Sequence, residues 1–368
     1  MDRIGETTLE IDLSALAHNF HFLKEKLNPE TKFLGVVKAF AYGSDMVTVA
    51  KKLESLGADY LAVAYVKEGV LLRNAGITLP ILVLHPQPLN FKALIANRLE
   101  PSLYSPKVFR WFLEVCQQEN LEQYPVHLKF NTGLNRLGFW ENDIDFVRDE
   151  LKGTNHITIK GILSHLAASE DADEEEFTRL QIDTFAKISA EFTKKMGYQP
   201  LRHMLNTSGI LNYPEAQFDM VRSGIGLYGY GNHPSFDEDL KPIASLKTII
   251  SQRHKIEPGE SVGYNRAFFS KDYRITATLP LGHADGIGRQ YGGGNTFVTI
   301  KGKRAPIIGN VCMDMIMVDV TDIDCKEGDE VILFGANPSA EGFAASGNTI
   351  SYEVLTAVSQ RVSRKIVP

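Results

Sequence analysis

Lys38 has the sequence context of a chemically active amine. It follows the apolar run 33–37 and precedes a segment that ends in Gly43. The apolar run is typical of a buried strand, so Lys38 is expected at the carboxyl end of that strand, where parallel α/β barrels build their active sites. Burial disfavours the charged form of an amine and lowers its pKa, which suits a lysine that forms a Schiff base. Taken alone, Lys38 could also be a surface lysine that closes a strand.

Other polar side chains follow predicted strands, where they would meet the candidate lysine at one rim of a barrel. These are Tyr42, then Asn131, Asn135 and Arg136, then His165, then Asn206, Thr207 and Ser208, and finally Arg222, Ser223 and Gly224. Gly224 and Ile225 could also present backbone N–H groups to a phosphate. Singly, each residue has an ordinary interpretation, such as a core histidine for His165 or an ion pair with Asp219 for Arg222. The sequence offers no competing catalytic carboxylate pair, Cys-His nucleophile or metal cluster.

Short apolar runs alternate with amphipathic stretches over about the first two thirds of the chain, which predicts a (β/α)8 barrel. The predicted strands are residues 33–38, 60–64, 81–84, 102–104, 126–130, 160–164, 202–206 and 219–222. Between them, apolar residues recur at helical spacing, as at Met46, Val49 and Leu53. Asp12 or Ser14 is the expected N-cap of the first helix. A doubly wound sheet is the alternative, but no G-x-G-x-x-G follows the first strand.

The character of the sequence changes after about residue 234, where β-branched residues and turn signals become frequent. Strands are predicted at 245–255, 274–280, 296–300, 305–308, 316–320 and 330–334, and a helix at 351–364. This spacing is typical of a small β-rich domain. We therefore predict an α/β chain with a barrel domain at 9–235, followed by a β-rich C-terminal domain at 236–368 that the N-terminal strand 1–8 joins.

Composition narrows the class of protein. The chain has 368 residues, of which 43% are hydrophobic, so it can bury more than one core. The net charge of −6 and the lack of a basic stripe argue against nucleic-acid binding. No apolar stretch approaches the length of a membrane span, and the N-terminal residues do not resemble a signal peptide. Three irregularly spaced cysteines favour a reducing compartment, so we expect a cytoplasmic protein.

Three motifs occur in a specific order along the chain. Val36-Val37-Lys38-Ala39-Phe40-Ala41-Tyr42-Gly43 surrounds the candidate lysine, Thr132 to Gly138 contains Thr-Gly-x-x-Arg-Leu-Gly, and Cys312-Met313-Asp314 lies in the predicted β-rich domain. In this order and spacing they resemble the alanine racemases, fold-type III enzymes that use pyridoxal 5′-phosphate (PLP). The resemblance extends from Leu9 to Arg364. It implies a homodimeric enzyme that interconverts L-alanine and D-alanine and supplies D-alanine for cell-wall peptidoglycan.

The resemblance also implies roles for individual residues. Lys38 would carry PLP covalently, and its phosphate would be bound by Tyr42, Tyr352, Thr207 or Ser208, and the backbone of Gly224 and Ile225. Asn206 would also belong to the cofactor-binding residues. His165 would lie against the ring, and Arg222 would hydrogen-bond the pyridine nitrogen. Arg136 would reach the phenolic oxygen and the substrate carboxylate, with Met313 and His283 at the substrate side of the site. Tyr264 of the partner subunit would be the second catalytic base, and Lys129 matches a family lysine that is often carbamylated.

Racemisation gives these residue types a chemical reason. A proton must leave one face of the substrate Cα and return to the other, so one base is needed on each side, here Lys38 and Tyr264. Free lysine and tyrosine titrate near pH ~10, so each must be tuned to act near neutrality. The cofactor delocalises the negative charge on Cα. Arg222 cannot release its proton, which should leave the ring nitrogen unprotonated and limit side reactions.

The chain departs from the family at the predicted entrance of the site. His283 stands where the family usually has a tyrosine, and Asn310 stands where an arginine is common. Alternative functions are a serine or broad-specificity racemase, a fold-type III amino-acid decarboxylase, and a PLP-binding carrier without catalysis. The contexts of Lys38 and Cys312 favour a racemase over a decarboxylase, and the predicted β-rich domain argues against a carrier.

Overall fold

The computed structural model describes residues 6–368, and they form two compact units. The barrel unit comprises Ala17–Ala41 and Met46–Leu240. The sheet unit comprises the described residues up to Leu16, Tyr42–Asp45 and Lys241–Pro368. Residues 1–5 of the predicted N-terminal strand 1–8 lie outside the described residues.

Strands β1 to β19 follow one another in chain order within the described residues. They are β1 Thr8–Asp12, β2 Lys32–Val36, β3 Tyr60–Val63, β4 Ile81–Val83, β5 Glu100–Leu103, β6 Tyr124–Lys129, β7 Ile157–Leu163, β8 Leu201–His203, β9 Met220–Ser223, β10 Ala244–Ile249, β11 Gln252–Ile256, β12 Ser261–Val262, β13 Phe268–Phe269, β14 Arg274–Leu279, β15 Phe297–Ile300, β16 Lys303–Ile308, β17 Ile316–Asp319, β18 Glu330–Phe334 and β19 Ser363–Val367.

Right-handed α-helices separate most of the early strands. They are Leu13–Glu25, Met46–Ser55, Val66–Asn74, Phe91–Ala96, Pro106–Gln118, Asp143–Glu150, Glu175–Met196, Thr207–Asn212, Pro234–Asp237, Ala340–Ser346 and Ser351–Ala357. Short 3-10 helices lie at Pro88–Asn90, Ala172–Glu174, Pro214–Ala216, Ile225–Tyr228, Tyr264–Arg266, His283–Asp285 and Arg289–Tyr291. Of the two expected N-caps of the first helix, Asp12 is the one used, since its Oδ1 accepts the N–H groups of Ser14 at 2.8 Å and Ala15 at 2.9 Å.

The barrel unit is built on a closed barrel of the parallel strands β2 to β9. Leu34 of β2 lies opposite Tyr60 of β3, and on the other side Lys32 lies opposite Met220 of β9. Every residue of β3 and β4 is buried, as expected for parallel strands that are covered on both faces. The predicted barrel is confirmed, and each predicted strand overlaps an observed one.

The sheet unit contains a nine-stranded sheet in the order β11-β14-β17-β16-β15-β18-β10-β1-β19. Strand β1 pairs antiparallel with β10 and parallel with β19, so strands that lie far apart in the sequence are neighbours in this sheet. Strands β12 and β13 form a separate hairpin. The predicted β-rich C-terminal architecture is confirmed.

Of the predicted N-terminal strand 1–8, the described residues are 6–8, and Thr8 begins β1. Two other predictions about this unit are wrong in detail. The predicted strand 245–255 is two strands, β10 and β11, because the chain turns at Ile250 and Ser251, whose N–H groups donate to the carbonyl oxygens of Asp329 and Thr278.

The predicted helix 351–364 ends at Ala357. Its last residues instead form β19, because pairing with β1 supplies the backbone hydrogen bonds that the helix would have made. Arg364 closes the intervening turn by donating to the carbonyl oxygens of Val358, Ser359 and Val362.

Within residues 6–368, no helix has the length and the apolar character that crossing a membrane would require.

Candidate active site

Lys38 lies just after β2, at the carboxyl end of the barrel, where it begins an unusual turn. Ala39, Phe40, Ala41 and Tyr42 all have φ between 53° and 54°, the left-handed helical region that non-glycine residues rarely adopt. Glu68 holds the start of the turn, since its Oε1 accepts the N–H of Ala39 at 2.6 Å. A strained segment that the surrounding structure holds in place is a common feature of functional sites.

The Lys38 amine is tuned towards its neutral form. The side chain is half-buried, and burial, followed by the positive charge of Arg136, lowers the pKa of Lys38, against the opposing effect of Glu68. A neutral amine is the nucleophilic form of lysine. Lys38 therefore has the electrostatic setting that Schiff-base chemistry needs.

Arg222 is a buried cation that neutral groups hold in place. Its Nη1 donates to Nδ1 and to the carbonyl oxygen of His203, both at 2.9 Å. Its Nη2 donates to the carbonyl oxygens of Ser164 at 2.7 Å and Met204 at 2.9 Å, and to Nδ1 of His165 at 3.2 Å. Its Nε–H has no hydrogen-bond partner among the described residues, so that N–H remains for a ligand. Burial lowers the pKa of Arg222 to about 10.

The ordinary interpretation of Arg222, an ion pair with Asp219, does not hold. Asp219 instead binds Arg202, whose Nε and Nη2 donate to the two carboxylate oxygens at 2.8 Å and 3.0 Å. Among the described residues, Arg222 forms no salt bridge with a carboxylate.

His165 is held beside Arg222 as a neutral imidazole. Burial, followed by the charge of Arg222, holds the pKa of His165 well below its ordinary value. Because the Arg222 guanidinium can only donate, Nδ1 of His165 must be the acceptor. The proton of the neutral ring is thus assigned to Nε2.

Arg136 projects from a tightly folded loop that follows β6. The Asn131 side chain closes this loop by accepting the N–H groups of Gly133 at 3.2 Å and Asn135 at 3.0 Å. Gly138 has a φ of 141°, and a Cβ there would lie 2.5 Å from the backbone nitrogen of Asn131, so only glycine fits. The side chain of Arg136 is exposed, which leaves its guanidinium accessible to an anion.

Lys129, the last residue of β6, is buried. Burial, followed by the charge of Arg136, lowers the pKa of Lys129 to about 8. Among the described residues it forms no salt bridge, although a buried charge normally requires a partner.

Thr207 organises the glycine loop after β9. Its Oγ1 accepts the N–H groups of Gly224 at 3.3 Å and Gly226 at 3.1 Å and lies 3.1 Å from Oγ of Ser223. A Cβ at Gly226 would lie 2.6 Å from Cγ2 of Thr207, so the two segments approach too closely for a side chain. Gly224 and Ile225 are thereby held beside Thr207.

Asn206 and Ser208 flank Thr207 and support the same region. Oδ1 of Asn206 accepts the N–H of Gly209 at 2.8 Å and the hydroxyl of Ser169 at 2.8 Å. Oγ of Ser208 accepts from the Asn232 amide at 3.0 Å.

Two predicted phosphate-binding tyrosines meet within the sheet unit. The rings of Tyr42 and Tyr352 lie 5.9 Å apart, and burial raises the pKa of Tyr42. Gly43 allows this approach, because it has a φ of 80° and a Cβ there would lie 2.0 Å from the carbonyl oxygen of Leu355. Arg364 donates to the Gly43 carbonyl at 2.8 Å.

The three other predicted site residues gather around one loop of the sheet unit. The Asn310 side chain donates to the carbonyl oxygen of Tyr264 at 3.0 Å, and the N–H of His283 donates to the carbonyl oxygen of Cys312 at 2.9 Å. The side chains of Tyr264 and Met313 are exposed by 71% and 59%. They are therefore available for contact outside the unit.

Three buried residues that connect to Arg222 through hydrogen bonds were not predicted from the sequence. His203, His127 and Glu100 are buried in β8, β6 and β5. The available signal was their occurrence as polar residues within short strands that the barrel buries, and nothing in the sequence linked them to Arg222.

The barrel-unit residues fit the cofactor that the resemblance implies. Lys38, Lys129, Arg136 and Arg222 influence one another electrostatically, and Glu68 is the carboxylate whose charge acts on Lys38. PLP carries a phosphate, a phenolic oxygen and a carbonyl carbon. A cationic cluster with a tuned amine and a free guanidinium N–H suits a ligand of that chemistry.

Comparison with known proteins supports the resemblance across the whole chain. A family model described as alanine racemase, N-terminal domain, matches residues 11–232, and one described as alanine racemase, C-terminal domain, matches residues 243–366. Alanine racemase 2 of Caldanaerobacter subterraneus subsp. tengcongensis is 36% identical over 374 residues, which cover 99% of this chain and 95% of that protein.

Solved structures agree with these sequence matches. Alanine racemase of Clostridium difficile 630 has a TM-score of 0.92 at 36% identity, with 100% of this chain and 97% of that chain covered. Alanine racemase from Bartonella henselae with covalently bound pyridoxal phosphate has a TM-score of 0.90 at 29% identity, with 99% and 100% covered. These matches confirm the family predicted from the three motifs. The chain belongs to the alanine racemase family.

Proposed function

We propose that this protein is a PLP-dependent alanine racemase that interconverts L-alanine and D-alanine. The observation that carries the proposal is the half-buried Lys38, whose pKa is lowered by burial and then by Arg136, at the carboxyl end of a (β/α)8 barrel. The relatives named above are alanine racemases, which supports the choice of substrate.

Residues from several segments of the chain would hold the cofactor. We propose Lys38 as the covalent attachment, Arg222 as the donor to the ring nitrogen and His165 as the residue against the ring. The proposed phosphate ligands are Tyr42, Tyr352, Thr207 or Ser208, and the backbone of Gly224 and Ile225, and Asn206 is a further proposed cofactor-binding residue. When bound, PLP supplies an electron sink for the negative charge on the substrate Cα.

Two residues of the protein would move the proton. The Lys38 amine would take it from, or return it to, one face of Cα, and the phenolic oxygen of Tyr264 of the partner subunit would serve the opposite face. The free energy of each transfer depends on the match of pKa values, which the lowered pKa of Lys38 improves. Arg136, with its exposed guanidinium, would bind the substrate carboxylate.

Met313 and His283 would shape the substrate side of the site. His283 offers an imidazole where the family usually has a phenol, so the pH dependence of substrate entry can differ from that of relatives. Asn310 already donates to the Tyr264 carbonyl oxygen, which supports a role for this loop in orienting the tyrosine.

We also propose an oligomeric state, a metabolic role and a cellular location for the protein. A homodimer follows from the assignment of Tyr264 to the partner subunit, and its exposure supports a contact there. D-Alanine supply for peptidoglycan and a cytoplasmic location follow from the family resemblance and from cysteine usage. The domain division at residue 235, with 9–235 binding PLP, stays a prediction.

An absorbance spectrum of the purified protein followed by chiral analysis tests the proposal. We expect a band near ~420 nm that disappears in Lys38→Ala, and D-alanine that accumulates from L-alanine towards an equal mixture. Tyr264→Phe should keep the band and lose racemisation.

Other outcomes would redirect or overturn the proposal. The band with carbon dioxide release would indicate a decarboxylase, and the band with racemisation of serine but not alanine would indicate another substrate. The band without turnover of any amino acid would indicate a carrier. No band after PLP is supplied would end the whole proposal.

A further inference from the structure

A continuous chain of hydrogen bonds runs through the inside of the barrel unit behind Arg222. Nη1 of Arg222 lies 2.9 Å from Nδ1 of His203, and Nε2 of His203 lies 3.0 Å from Nδ1 of His127. Nε2 of His127 lies 3.0 Å from Oε2 of Glu100. Oε1 of Glu100 accepts from the Lys160 amine at 2.7 Å. Five neighbouring strands, β5 to β9, thus contribute one residue each.

This series of hydrogen bonds connects the two ends of the barrel. Glu100 is the first residue of β5, whereas Arg222 lies near the carboxyl end of β9. His127 and His203 are 0% exposed and Glu100 is 6% exposed, while Lys160 is half-exposed. Burying a polar group costs free energy unless the group has a hydrogen-bond partner. His203, His127 and Glu100 each have a partner on both sides in this series.

The donors and acceptors of this chain can be assigned in one direction. The Arg222 guanidinium has no acceptor atom, so Nδ1 of His203 must accept and its Nε2 must carry the proton. Nδ1 of His127 then accepts from His203, and its Nε2–H donates to Glu100. Both histidines are therefore neutral, each with its proton on Nε2.

The residues around His127 leave space for this series of hydrogen bonds. A Cβ at Gly161 of β7 would lie 2.3 Å from Nδ1 and 2.6 Å from Cε1 of His127. The Tyr60 ring packs edge-on against His127, with centroids 6.1 Å apart at 78°. The imidazole of His127 is thus fixed in the orientation that the relay of hydrogen bonds needs.

We propose that Glu100 is a positioning residue that acts through His127 and His203 to fix the orientation of the Arg222 guanidinium. It never touches the ligand. Its carboxylate accepts the Nε2–H of His127 and so stabilises, from the other end, the same Nε2–H forms of His127 and His203 that Arg222 requires. Together with the carbonyl oxygens of His203, Ser164 and Met204, the contact of Nδ1 of His203 with Arg222 fixes the plane of the guanidinium and hence the direction of its Nε–H.

This inference rests on the proposed function only where it assigns the Nε–H of Arg222 to the cofactor. The hydrogen-bond chain itself is a property of the folded protein. A measurement of histidine protonation therefore tests it separately from catalysis.

Histidine nitrogen NMR of the 15N-labelled holoenzyme near neutral pH is the first test. We expect His127 and His203 each to show a protonated Nε2 and an unprotonated Nδ1. A proton on Nδ1 of either ring would overturn the proposal, whether or not the protein racemises alanine. No variant is needed, so a folding defect cannot obscure the answer.

Glu100→Gln with Asp219→Asn as the matched control is the second test. Both variants change a carboxylate in the barrel unit that binds a cation. Asp219, however, binds Arg202 and is not part of the hydrogen-bonded series from Arg222 to Lys160. We expect Glu100→Gln to shift the nitrogen signals of both His127 and His203 and to lower kcat roughly 10-fold, with KM changed less than about 2-fold, as for partners that orient the residues of a site. Asp219→Asn should leave all of these unchanged.

The pattern of results separates the explanations. A shift confined to His127, or equal kinetic losses in both variants, would mean that Glu100 has a structural role only and would overturn the proposal. Shifts at both histidines in a protein without racemase activity would keep the positioning chain and reject the proposed function.

Discussion

At the scale of single residues, the most consequential feature is a set of cations that the protein fold holds partly out of water. Lys129 has no salt-bridge partner among the described residues, and Arg222 is satisfied by carbonyl oxygens and imidazole nitrogens rather than by a carboxylate. Such groups keep their charge at a cost, because burial favours the neutral form. An anionic ligand would offset this cost.

Lys129 should react with carbon dioxide. Its neutral amine would form an N–C bond with CO₂ and release one proton to solvent, which leaves a carbamate anion beside Arg136. Since burial and then Arg136 lower the pKa of Lys129 to about 8, the neutral amine is scarce below that pH and abundant above it.

Carbon-13 NMR in the presence of labelled bicarbonate checks this prediction. We expect a carbamate signal at roughly pH 8.5 that weakens by roughly pH 6.5 and is lost in Lys129→Met. Lys160→Met is the control and should retain the signal, because Lys160 has a raised pKa despite burial, through its hydrogen bond to Glu100. A signal that survives in Lys129→Met would contradict the assignment.

At the scale of elements, the left-handed turn Ala39–Tyr42 and the close contact of β6 with β7 show how backbone and packing position the site. Four successive residues in the left-handed region oppose the ordinary preference of L-amino acids. Their conformation persists because Glu68 binds the start of the turn and Gly43 packs its end against Leu355.

In the left-handed turn, a glycine variant should be more stable than an alanine variant, which is the reverse of their order in a right-handed helix. Phe40 is 48% exposed with a φ of 54°, so Phe40→Gly should be more stable than Phe40→Ala by about 1 kcal/mol. At Leu71, an exposed position of the right-handed helix Val66–Asn74, alanine should be more stable than glycine by about 1 kcal/mol. Thermal denaturation of the four variants checks this, and the same ranking at both positions would count against the left-handed turn.

Gly161→Ala should destabilise the barrel unit. The new methyl group would collide with the ring of His127, and such overpacking costs roughly 1–3 kcal/mol. Gly342→Ala is the control, since a Cβ there meets only Oγ of Ser339 at 3.4 Å. Calorimetry should show a lower melting temperature for the first variant and an unchanged or higher one for the second. Equal melting temperatures would show that His127 can move aside.

At the scale of the whole molecule, the proposed catalytic residues are divided between two compact units. Lys38, Arg136, His165 and Arg222 belong to the barrel unit, whereas Tyr264, Met313 and His283 belong to the sheet unit. Within the sheet unit, the latter gather around the loop that contains Asn310 and Cys312. In the proposed homodimer, Tyr264 of the partner subunit would serve the face of the substrate Cα opposite to Lys38.

Heterodimers of Lys38→Ala and Tyr264→Phe should recover activity. If Tyr264 of the partner subunit completes each site, a purified heterodimer has one site with both bases intact and should show about half of wild-type activity in a two-fold symmetric dimer. Each homodimeric variant should be inactive. Two tags of different affinity allow the heterodimer to be isolated and assayed.

The alternatives give different results. If Tyr264 served its own chain, every site of the heterodimer would lack one base and the mixture would stay inactive. A monomeric protein would give no doubly tagged species.

The sequence by itself determined the architecture and the family. Alternating apolar runs and helical periodicity predicted the barrel because parallel strands that are buried on both faces are mostly apolar. Ordered motifs around Lys38, Arg136 and Met313 predicted the alanine racemase family. Predictions from the sequence were wrong where the local structure depends on residues far apart along the chain. The end of a predicted helix, for example, forms β19 because it pairs with β1.

Only the tertiary structure decided how the site is supported. Glu100, His127, Lys160 and His203 look like isolated polar residues in the sequence, and only closure of the barrel aligns them behind Arg222. The left-handed turn after Lys38 was equally hidden, because alanine, phenylalanine and tyrosine carry no local preference for it. Hydrogen bonds, burial and electrostatic shifts arise between segments that are distant along the chain, so they exist only after the chain has folded.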